Sequence, residues 1–443
     1  MGKMNKKKVA LHNLGCKVNS YETEAAAQEL EKRGYEIVPF EPGADIYIIN
    51  TCSVTNIADR KSRQMLHKAR KMNPNAIVVA MGCYVQSEKG RNVCDEGIDI
   101  VIGNNSKAKL ADIIEEYEKN GRQLSEVDDI KEAEYEKLSV DKISDHVRGF
   151  IKVQDGCNMF CSYCIIPYLR GRIRSRDLND TVSEVKRLAD GGCREIVLSG
   201  IHLSSYGKDF GDGTDLLTLV KAIHEVDGIE RIRLGSLEPG IITDDFAKEL
   251  ASLPKFCPHF HLSLQSGCDK TLKAMNRKYD SSTYKSKCEI LRKYFDEPAL
   301  TTDVITGFPG ETEEDFEETY RFVDSISFFE THVFPYSARE GTVAAKMSGQ
   351  LTEAVKKQRA SRLIELSDKK RRERLEKLIG SSVKVLAEEA QEIDGKTYYI
   401  GHTERYEKVA IQSDTDISGK LVKVDIDGLL GKDSVSGIAC NPE

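Results

Sequence analysis

Three cysteines stand together in Gly156-Cys157-Asn158-Met159-Phe160-Cys161-Ser162-Tyr163-Cys164, a CxxxCxxC run. Iron–sulfur clusters are held by cysteine thiolates, and a four-iron cluster closed by protein alone needs four of them. Three thiolates leave one iron open, as catalytic metal sites leave a position open for substrate. The competing chemistry is a structural zinc site, which needs a fourth cysteine or histidine nearby; the nearest, His146 and Cys193, are poorly spaced. A second set is dispersed: Cys16 closes the run from Val9, Cys52 the run from Asp45 and Cys83 the run from Ile77. Each follows a β-rich apolar stretch. In open parallel sheets the carboxyl ends of the strands face one crevice, so three thiols there make a second trio with an open iron. A small buried residue is the alternative for any one of them, and it is the reading for Cys94, Cys193, Cys257, Cys268, Cys288 and Cys440. Twelve cysteines in a chain with no export signal point to metal rather than disulfides.

These cysteines need elements to position them. Residues 7–114 alternate strand patterns (Val9–Leu14, Asp45–Asn50, Ile77–Met81, Ile98–Ile102) with helical ones (Glu22–Arg33, Asn56–Met72), which predicts a parallel sheet covered by helices. Residues 116–145 are acidic and read as a solvated linker with some helix. A second series comes next, with strands at Gly149–Gln154, Glu195–Ser199, Arg231–Gly235, His259–Leu264, Leu300–Ile305 and His332–Pro335. Six βα units predict an open, partial parallel barrel, and CxxxCxxC falls just past its first strand, at the mouth where such barrels build active sites. After Gly380 five short alternating strands predict a small OB-like β-barrel. The expected chain is α/β in three parts: an open parallel-sheet domain over 1–115, a partial (β/α)6 barrel over 146–375 and a β-barrel over 379–441.

The 443 residues are 40% hydrophobic and 31% charged, with formal charge −7. Their longest apolar stretches are too short to cross a bilayer, and the basic Met1–Lys8 leads into no apolar region, so the expectation is cytoplasmic with no membrane partner. Arg170, Arg172, Arg174 and Arg176 recur at every second residue. In an extended segment they share one side, suited to bidentate phosphate contact. Residues 355–377 form a basic helix with ten Lys/Arg against four Asp/Glu, for which a solvated face is the blander reading. Residues 379–443 hold seven Lys/Arg against twelve Asp/Glu and cannot bind RNA by bulk charge. Local contacts from Arg405, Lys408, Tyr398 or Tyr399 are what remains there.

CxxxCxxC resembles the radical S-adenosylmethionine superfamily, and the three-part order resembles the methylthiotransferases, whose C-terminal barrel is a TRAM domain. Leu14-Gly-Cys-Lys-Val-Asn-Ser-Tyr-Glu-Thr-Glu24, Ser199-Gly-Ile-His-Leu-Ser-Ser-Tyr-Gly207 and Arg233-Leu-Gly-Ser-Leu-Glu-Pro239 are most similar to the branch acting on N6-threonylcarbamoyladenosine beside the anticodon. Gly235 departs from that pattern, where serine is expected. The resemblance implies two [4Fe-4S] clusters, a radical one on Cys157, Cys161 and Cys164 and an auxiliary one on Cys16, Cys52 and Cys83. It implies S-adenosylmethionine as methyl donor and radical source, the tRNA anticodon stem-loop as partner, and external electron and sulfur donors. Ser199 and Gly200 are implied beside the methionyl amino group, and Ser236, Glu238, Gln265 and Ser266 as ribose or carboxylate contacts. Asp303 and the turn Gly307-Phe-Pro-Gly-Glu311 are implied around the adenine. The implied reaction takes hydrogen from C2 of adenosine 37 with a 5′-deoxyadenosyl radical and puts a methylthio group there, so the two open irons must face one cavity. The rivals are isopentenyladenosine as substrate and, from another class, a non-catalytic metal-binding protein that binds RNA.

Overall fold

A computed structural model describes residues 6–87, 90, 97–131, 133–143 and 147–440. Cys94 and His146 lie outside them. The first sheet contains β1 (Lys8–Asn13), β2 (Glu36–Val38), β3 (Ile46–Thr51), β4 (Ile77–Gly82), β5 (Ile100–Ile102) and β6 (Leu124–Glu126) in the order β2-β1-β3-β4-β5-β6, every pair parallel. Helices cover both faces, so β3 (IYIINT) is buried along its whole length, as a central parallel strand must be. The strands before Cys16, Cys52 and Cys83 are β1, β3 and β4, three neighbours in the sheet. Their carboxyl ends therefore lie side by side, one strand spacing apart.

The acidic stretch is not a free linker. The helix Leu110–Asn120 runs through its start, and β6 extends the sheet from within it. Beyond that, Ile130, Val140 and Glu136 are buried. The Glu136 carboxylate accepts the Ala108 N–H at 2.8 Å, and the Tyr135 hydroxyl donates to the Lys152 carbonyl at 2.6 Å. The apolar and aromatic residues scattered among the acids bind this stretch along the seam between the parallel sheet and the second unit of the chain.

That second unit is the partial barrel. A sheet of β7 (Arg148–Asp155), β8 (Arg174–Ser175), β9 (Glu195–Gly200) and β10 (Arg231–Leu234) is ordered β10-β9-β7-β8, and β11 (His259–His261), β12 (Ala299–Thr306) and β13 (Glu330–Pro335) form the other. Single bridges, Ile232 to Phe256 and Leu237 to Leu262, join the two sheets. The six expected strands are parallel to their neighbours, and the short β8 pairs antiparallel with β7 at the open edge. The chain ends in a closed five-stranded barrel, β14 (Ser382–Ile393), β15 (Lys396–Thr403), β16 (Lys408–Gln412), β17 (Leu421–Leu430) and β18 (Ser434–Ala439). No described helix is long and apolar enough to cross a membrane.

This last barrel covers the amino ends of the partial barrel's strands, the end away from the cysteines. Arg231 donates to the carbonyls of His402 and Lys384 at 3.0 and 2.7 Å, and Arg233 to those of Glu404 and Thr403 at 2.9 and 3.2 Å. Arg148 pairs with Glu388 at 2.9 Å. Tyr406 plugs the opening in a left-handed conformation (φ 71°), stacked on His259 (centroids 4.9 Å, 10°) and His402 (4.5 Å, 20°). The guanidiniums of Arg148 and Arg233 lie 5.3 and 4.9 Å from its ring. Replacing Tyr406 by Ala removes this stacking and both cation–π contacts, at a cost of about 2 kcal/mol. Calorimetry is expected to show a lowered unfolding temperature, with protease cutting first between the two barrels.

Candidate active site

Each cysteine trio is set by glycines that let the backbone leave a strand sharply. Gly15 (φ +110°) precedes Cys16, and a Cβ there would lie 2.9 Å from Cys52 Sγ. Gly82 (φ +100°) precedes Cys83, where a Cβ would meet Asn50 Oδ1 at 2.5 Å. Gly156 (φ +70°) precedes Cys157, and a Cβ would come within 1.8 Å of the Arg172 carbonyl oxygen. Only glycine fits such positions. Past Cys157, Phe160 takes a positive φ of 49°, and Asn276 donates to its carbonyl at 3.0 Å, holding the CxxxCxxC loop on the turn after the helix Asp269–Ala274.

All six cysteines are free. Burial raises Cys164 to about 12 and Cys52 to about 11, with the neighbouring thiols of each trio adding to the rise. Burial also raises Cys157 and Cys16, although Cys16 keeps part of its surface exposed. Such thiols give up their protons to a bound cation, so loading the site releases protons. Among the described residues no three His, Cys, Asp or Glu converge on a single-ion site, as a tetrahedral zinc requires. Within each trio the thiols instead feel one another's charge without meeting at one point.

Each trio also has an arginine on one sulfur, and neither contact was legible in the spacing. Arg277 Nη1 donates to Cys161 Sγ at 3.4 Å, while its Nε donates to the Tyr279 hydroxyl at 3.0 Å. Arg170 Nε donates to Cys83 Sγ at 3.3 Å, and its Nη2 donates to Asn19 Oδ1 at 2.8 Å. The same Asn19 oxygen faces Cys16 Sγ at 3.9 Å, and Asn104 Nδ2 donates to Cys83 Sγ at 3.5 Å. Arg170 lies six residues after Cys164, so one side chain ties the CxxxCxxC segment to the dispersed trio.

Around it is a buried charge network. Glu22, on α1 (Lys17–Lys32), binds Arg170 at 3.0 Å, Lys107 at 2.5 Å and Lys152 at 2.9 Å. Asp155 binds Lys152 at 2.6 Å and Arg170 at 3.1 Å. Burial by itself raises both carboxyls, but the surrounding cations outweigh it and hold Glu22 and Asp155 below the usual carboxylate range. The readable signal was helical: Cys16, Asn19 and Glu22 recur at three-residue intervals on one face of α1. A second clamp sits beside Cys52, where Arg339 reaches Ser53 at 2.9 Å and Asp59 at 2.7 Å.

The alternating arginines do not share a solvent-facing side. Arg170, Arg174 and Arg176 are buried, and only Arg172 is exposed, its guanidinium 4.7 Å from the Phe160 ring. The segment is not extended throughout: Ile166–Arg170 is helical, and acids inside the fold claim the guanidiniums, Arg176 pairing with Glu184 at 2.6 Å. The basic helix, here Glu353–Glu376, likewise spends charge on ion pairs, among them Arg359–Glu311, Arg371–Glu330 and Arg374–Glu407. In the C-terminal barrel Arg405 is bound to the carbonyls of Asp296 and Glu297, and Tyr398 is buried.

The residues expected around S-adenosylmethionine divide. Ser199 is buried with its Oγ unpartnered, an orphaned polar atom at a strand end. Gly200 makes room for Gln154, whose amide ties His202 N–H to the Gly156 carbonyl just ahead of Cys157. Gly235, where serine was expected, would place a Cβ 3.0 Å from the Leu198 carbonyl oxygen, so the missing side chain relieves a crowded strand end beside Ser199. Gln265 sits at φ 70°, a strained conformation of the kind stored at functional sites. Asp303 lies 3.2 Å from His261 Nε2. Ser236 is exposed, and the Glu238 carboxylate accepts the Gly240 N–H at 2.9 Å. Two expectations fail. Ser266 is fully buried and its hydroxyl is spent on Thr319 at 3.0 Å, facing a covering helix. At Gly307 the space a Cβ would fill is taken by Lys356 Cγ, 2.4 Å away, because that turn packs on the long basic helix.

Residues 151–323 match the Radical SAM superfamily, and residues 8–103 match Uncharacterized protein family UPF0004. In fold, the chain is similar to the radical S-adenosylmethionine methyltransferase TsrM from Kitasatospora setae (TM-score 0.54, 16% identity, 75% of each chain). It is 42% identical to Threonylcarbamoyladenosine tRNA methylthiotransferase MtaB of Bacillus subtilis (strain 168), over 94% of this chain and 93% of that one. It is 41% identical to the MtaB of Aquifex aeolicus (strain VF5), over 94% and 99%. It is 35% identical to tRNA-2-methylthio-N(6)-dimethylallyladenosine synthase of Acetivibrio thermocellus, over 96% and 89%. The chain belongs to the radical SAM methylthiotransferase family, whose members use S-adenosylmethionine and [4Fe-4S] clusters. Two groups of three free thiols and an unpartnered serine hydroxyl fit those groups.

Replacing Glu22 by Ala strips Lys107 of its ion pair and leaves Lys152 and Arg170 paired with Asp155 alone, which costs about 3–5 kcal/mol. Because the folded Glu22 and Asp155 hold depressed pKa values, their contribution is complete above about pH 4 and is lost as acid protonates them. Thermal unfolding should therefore separate E22A from the parent widely at pH 7 and progressively less as pH falls below 4.

Proposed function

We propose that this chain inserts a methylthio group at C2 of N6-threonylcarbamoyladenosine 37 in tRNA. The observation that carries the reading is Arg170, which joins the Cys83 sulfur to the segment holding Cys157, Cys161 and Cys164. Two cysteine trios tied by one buried side chain suit a reaction that needs two metal centres at one cavity. Support for the substrate comes from the relatives, since those named for threonylcarbamoyladenosine are 36 to 42% identical and those named for dimethylallyladenosine 35 to 37%.

In this reading residues 1–115 carry the auxiliary cluster on Cys16, Cys52 and Cys83, residues 146–375 the radical cluster, and residues 379–441 the TRAM barrel. When bound, the clusters and S-adenosylmethionine supply one-electron chemistry for an unactivated C–H bond and a methylated sulfur to replace the hydrogen. The chain's own residues do the rest. Arg277 and Arg170 orient one sulfur of each trio and offset its charge, and Tyr406 with the C-terminal barrel keeps water out of the lumen from below. Ser199, Gly200, Ser236, Glu238, Gln265 and Asp303 remain the groups proposed to hold S-adenosylmethionine. The enzyme works in the cytoplasm with tRNA, and electron and sulfur donors come from outside the chain.

RNA docking falls to α2 (Asn56–Met72), four residues after Cys52, in place of the buried arginines. It holds six Lys/Arg against one acid, Asp59. Arg60, Lys61, Lys68 and Lys71 are exposed and fall within about a third of the helix circumference, a positive stripe beside the cavity.

Nucleosides from a host lacking its own enzyme but expressing this chain are expected to show methylthiolated N6-threonylcarbamoyladenosine by mass spectrometry. Product on isopentenyladenosine alone would overturn the assignment. Alanine at Cys16, Cys52 and Cys83 should remove about half of the roughly eight irons of the reconstituted protein, and all of the product. Charge reversal at Arg60 and Lys68 is expected to weaken tRNA binding and lower the salt slope by about 1 for each phosphate no longer neutralised.

A further inference from the structure

The inward face of β7 reads upward as Arg148, Phe150, Lys152 and Gln154, from the Tyr406 plug toward Cys157. Its cations are nearly all spent on acids. Arg148 pairs with Glu388, Lys152 with Glu22 and Asp155, and across the lumen Arg233 pairs with Glu195 at 3.0 Å. Lys17 differs. Its ammonium stands 5.9 Å from the Phe150 ring centroid, and the Arg148 guanidinium flanks the same ring at 6.0 Å. Yet it makes no ion pair with a described carboxylate, and the residue is solvent-accessible. Lys17 is also the residue after Cys16 and the first of α1. No acidic residue lies in that helix's first turn and no side chain caps it, so the positive end of its dipole adds to the charge of Lys17 without an acid of its own turn to offset it.

We propose that Lys17 receives the carboxylate of the N6-threonylcarbamoyl group, selecting adenosine with an acidic N6 substituent over adenosine with an apolar or absent one. This rests on the assignment of N6-threonylcarbamoyladenosine as substrate. The chemistry of the base supports it: C2 and C6 both flank N1, so a group on N6 lies along the same edge as C2. An adenosine that turns C2 toward the sulfur set of Cys16, Cys52 and Cys83 brings its N6 substituent to the residue beside Cys16. A carboxylate there gains a cation that Glu195 attracts only from beyond ion-pair distance, without a direct carboxylate partner among the described residues. A dimethylallyl group there would strip water from that cation and return nothing, a penalty that sharpens discrimination.

The test is binding of anticodon stem-loop RNAs to the full-length, iron-reconstituted protein, read by fluorescence anisotropy. One RNA carries N6-threonylcarbamoyladenosine at position 37 and the other plain adenosine. The parent protein is expected to prefer the modified RNA. Lys17→Gln should weaken the modified RNA roughly tenfold or more while leaving the plain RNA within about twofold, and Lys17→Arg should keep most of the preference. Iron content and visible absorbance of Lys17→Gln are measured alongside and should match the parent. A Lys17→Gln protein with full iron and an undiminished preference would overturn the proposal, as would equal loss on both RNAs, which marks a phosphate contact. Should Lys17→Gln lose iron, Lys17→Arg decides, and loss of preference in a fully loaded K17R overturns the proposal. If the parent shows no preference and forms no product on the modified RNA, the substrate assignment itself fails, independently of Lys17.

Discussion

The burial of Glu22 among Arg170, Lys107 and Lys152 is the interaction on which the architecture turns. Its oxygens come from the first helix of the parallel-sheet domain, while its cations come from the turn Lys107–Lys109 after β5, from β7 and from the helix after CxxxCxxC. A charge with no water around it tolerates little displacement, since an ion without its partner is stranded in a low-dielectric interior. The network therefore sets the seam between sheet and barrel in a way that apolar packing, which accepts sliding, would not. Arg170 passes the constraint on, reaching Glu22, Asp155, Asn19 and Cys83 with one guanidinium.

That seam fixes the rest of the site. The carboxyl ends of β1, β3 and β4 present their cysteines toward the segment after β7, and glycines at 15, 82 and 156 let the backbone turn where no side chain fits. The two arginines on sulfur, Arg277 and Arg170, place fixed positive charge beside Cys161 and Cys83. The lumen below them is polar and closed by Tyr406, so the C-terminal barrel, acidic as it is, serves the site from its far end as a stopper.

Much of the fold was legible. The parallel sheet, the six strands of the partial barrel and the closed terminal barrel were read from alternating patterns, because strand runs such as IYIINT and IVVAMG admit few other structures. The errors share one cause. Arg170, Arg174 and Arg176 were read as a phosphate-facing row, and residues 116–145 as a linker, on the assumption that charge seeks water; most described acids of that stretch are exposed, but Glu136 is buried. Both segments lie on the seam, where partners distant in sequence satisfy the buried charges: Glu22 for Arg170, the Ala108 N–H for Glu136.

The chain by itself determined the kinds of chemistry present, since cysteines at set spacings after β-rich runs restrict the metal and the order of the parts. Local pattern carries that information because strand periodicity and cysteine spacing are properties of neighbouring residues. Only the tertiary structure decided which charges are buried and how they are paired: that Arg170 holds a sulfur, that Ser266 and Gly307 are spent on packing, and that Lys17 makes no ion pair with a described carboxylate. Those are facts of partnership between residues far apart in the chain, and no local pattern encodes them.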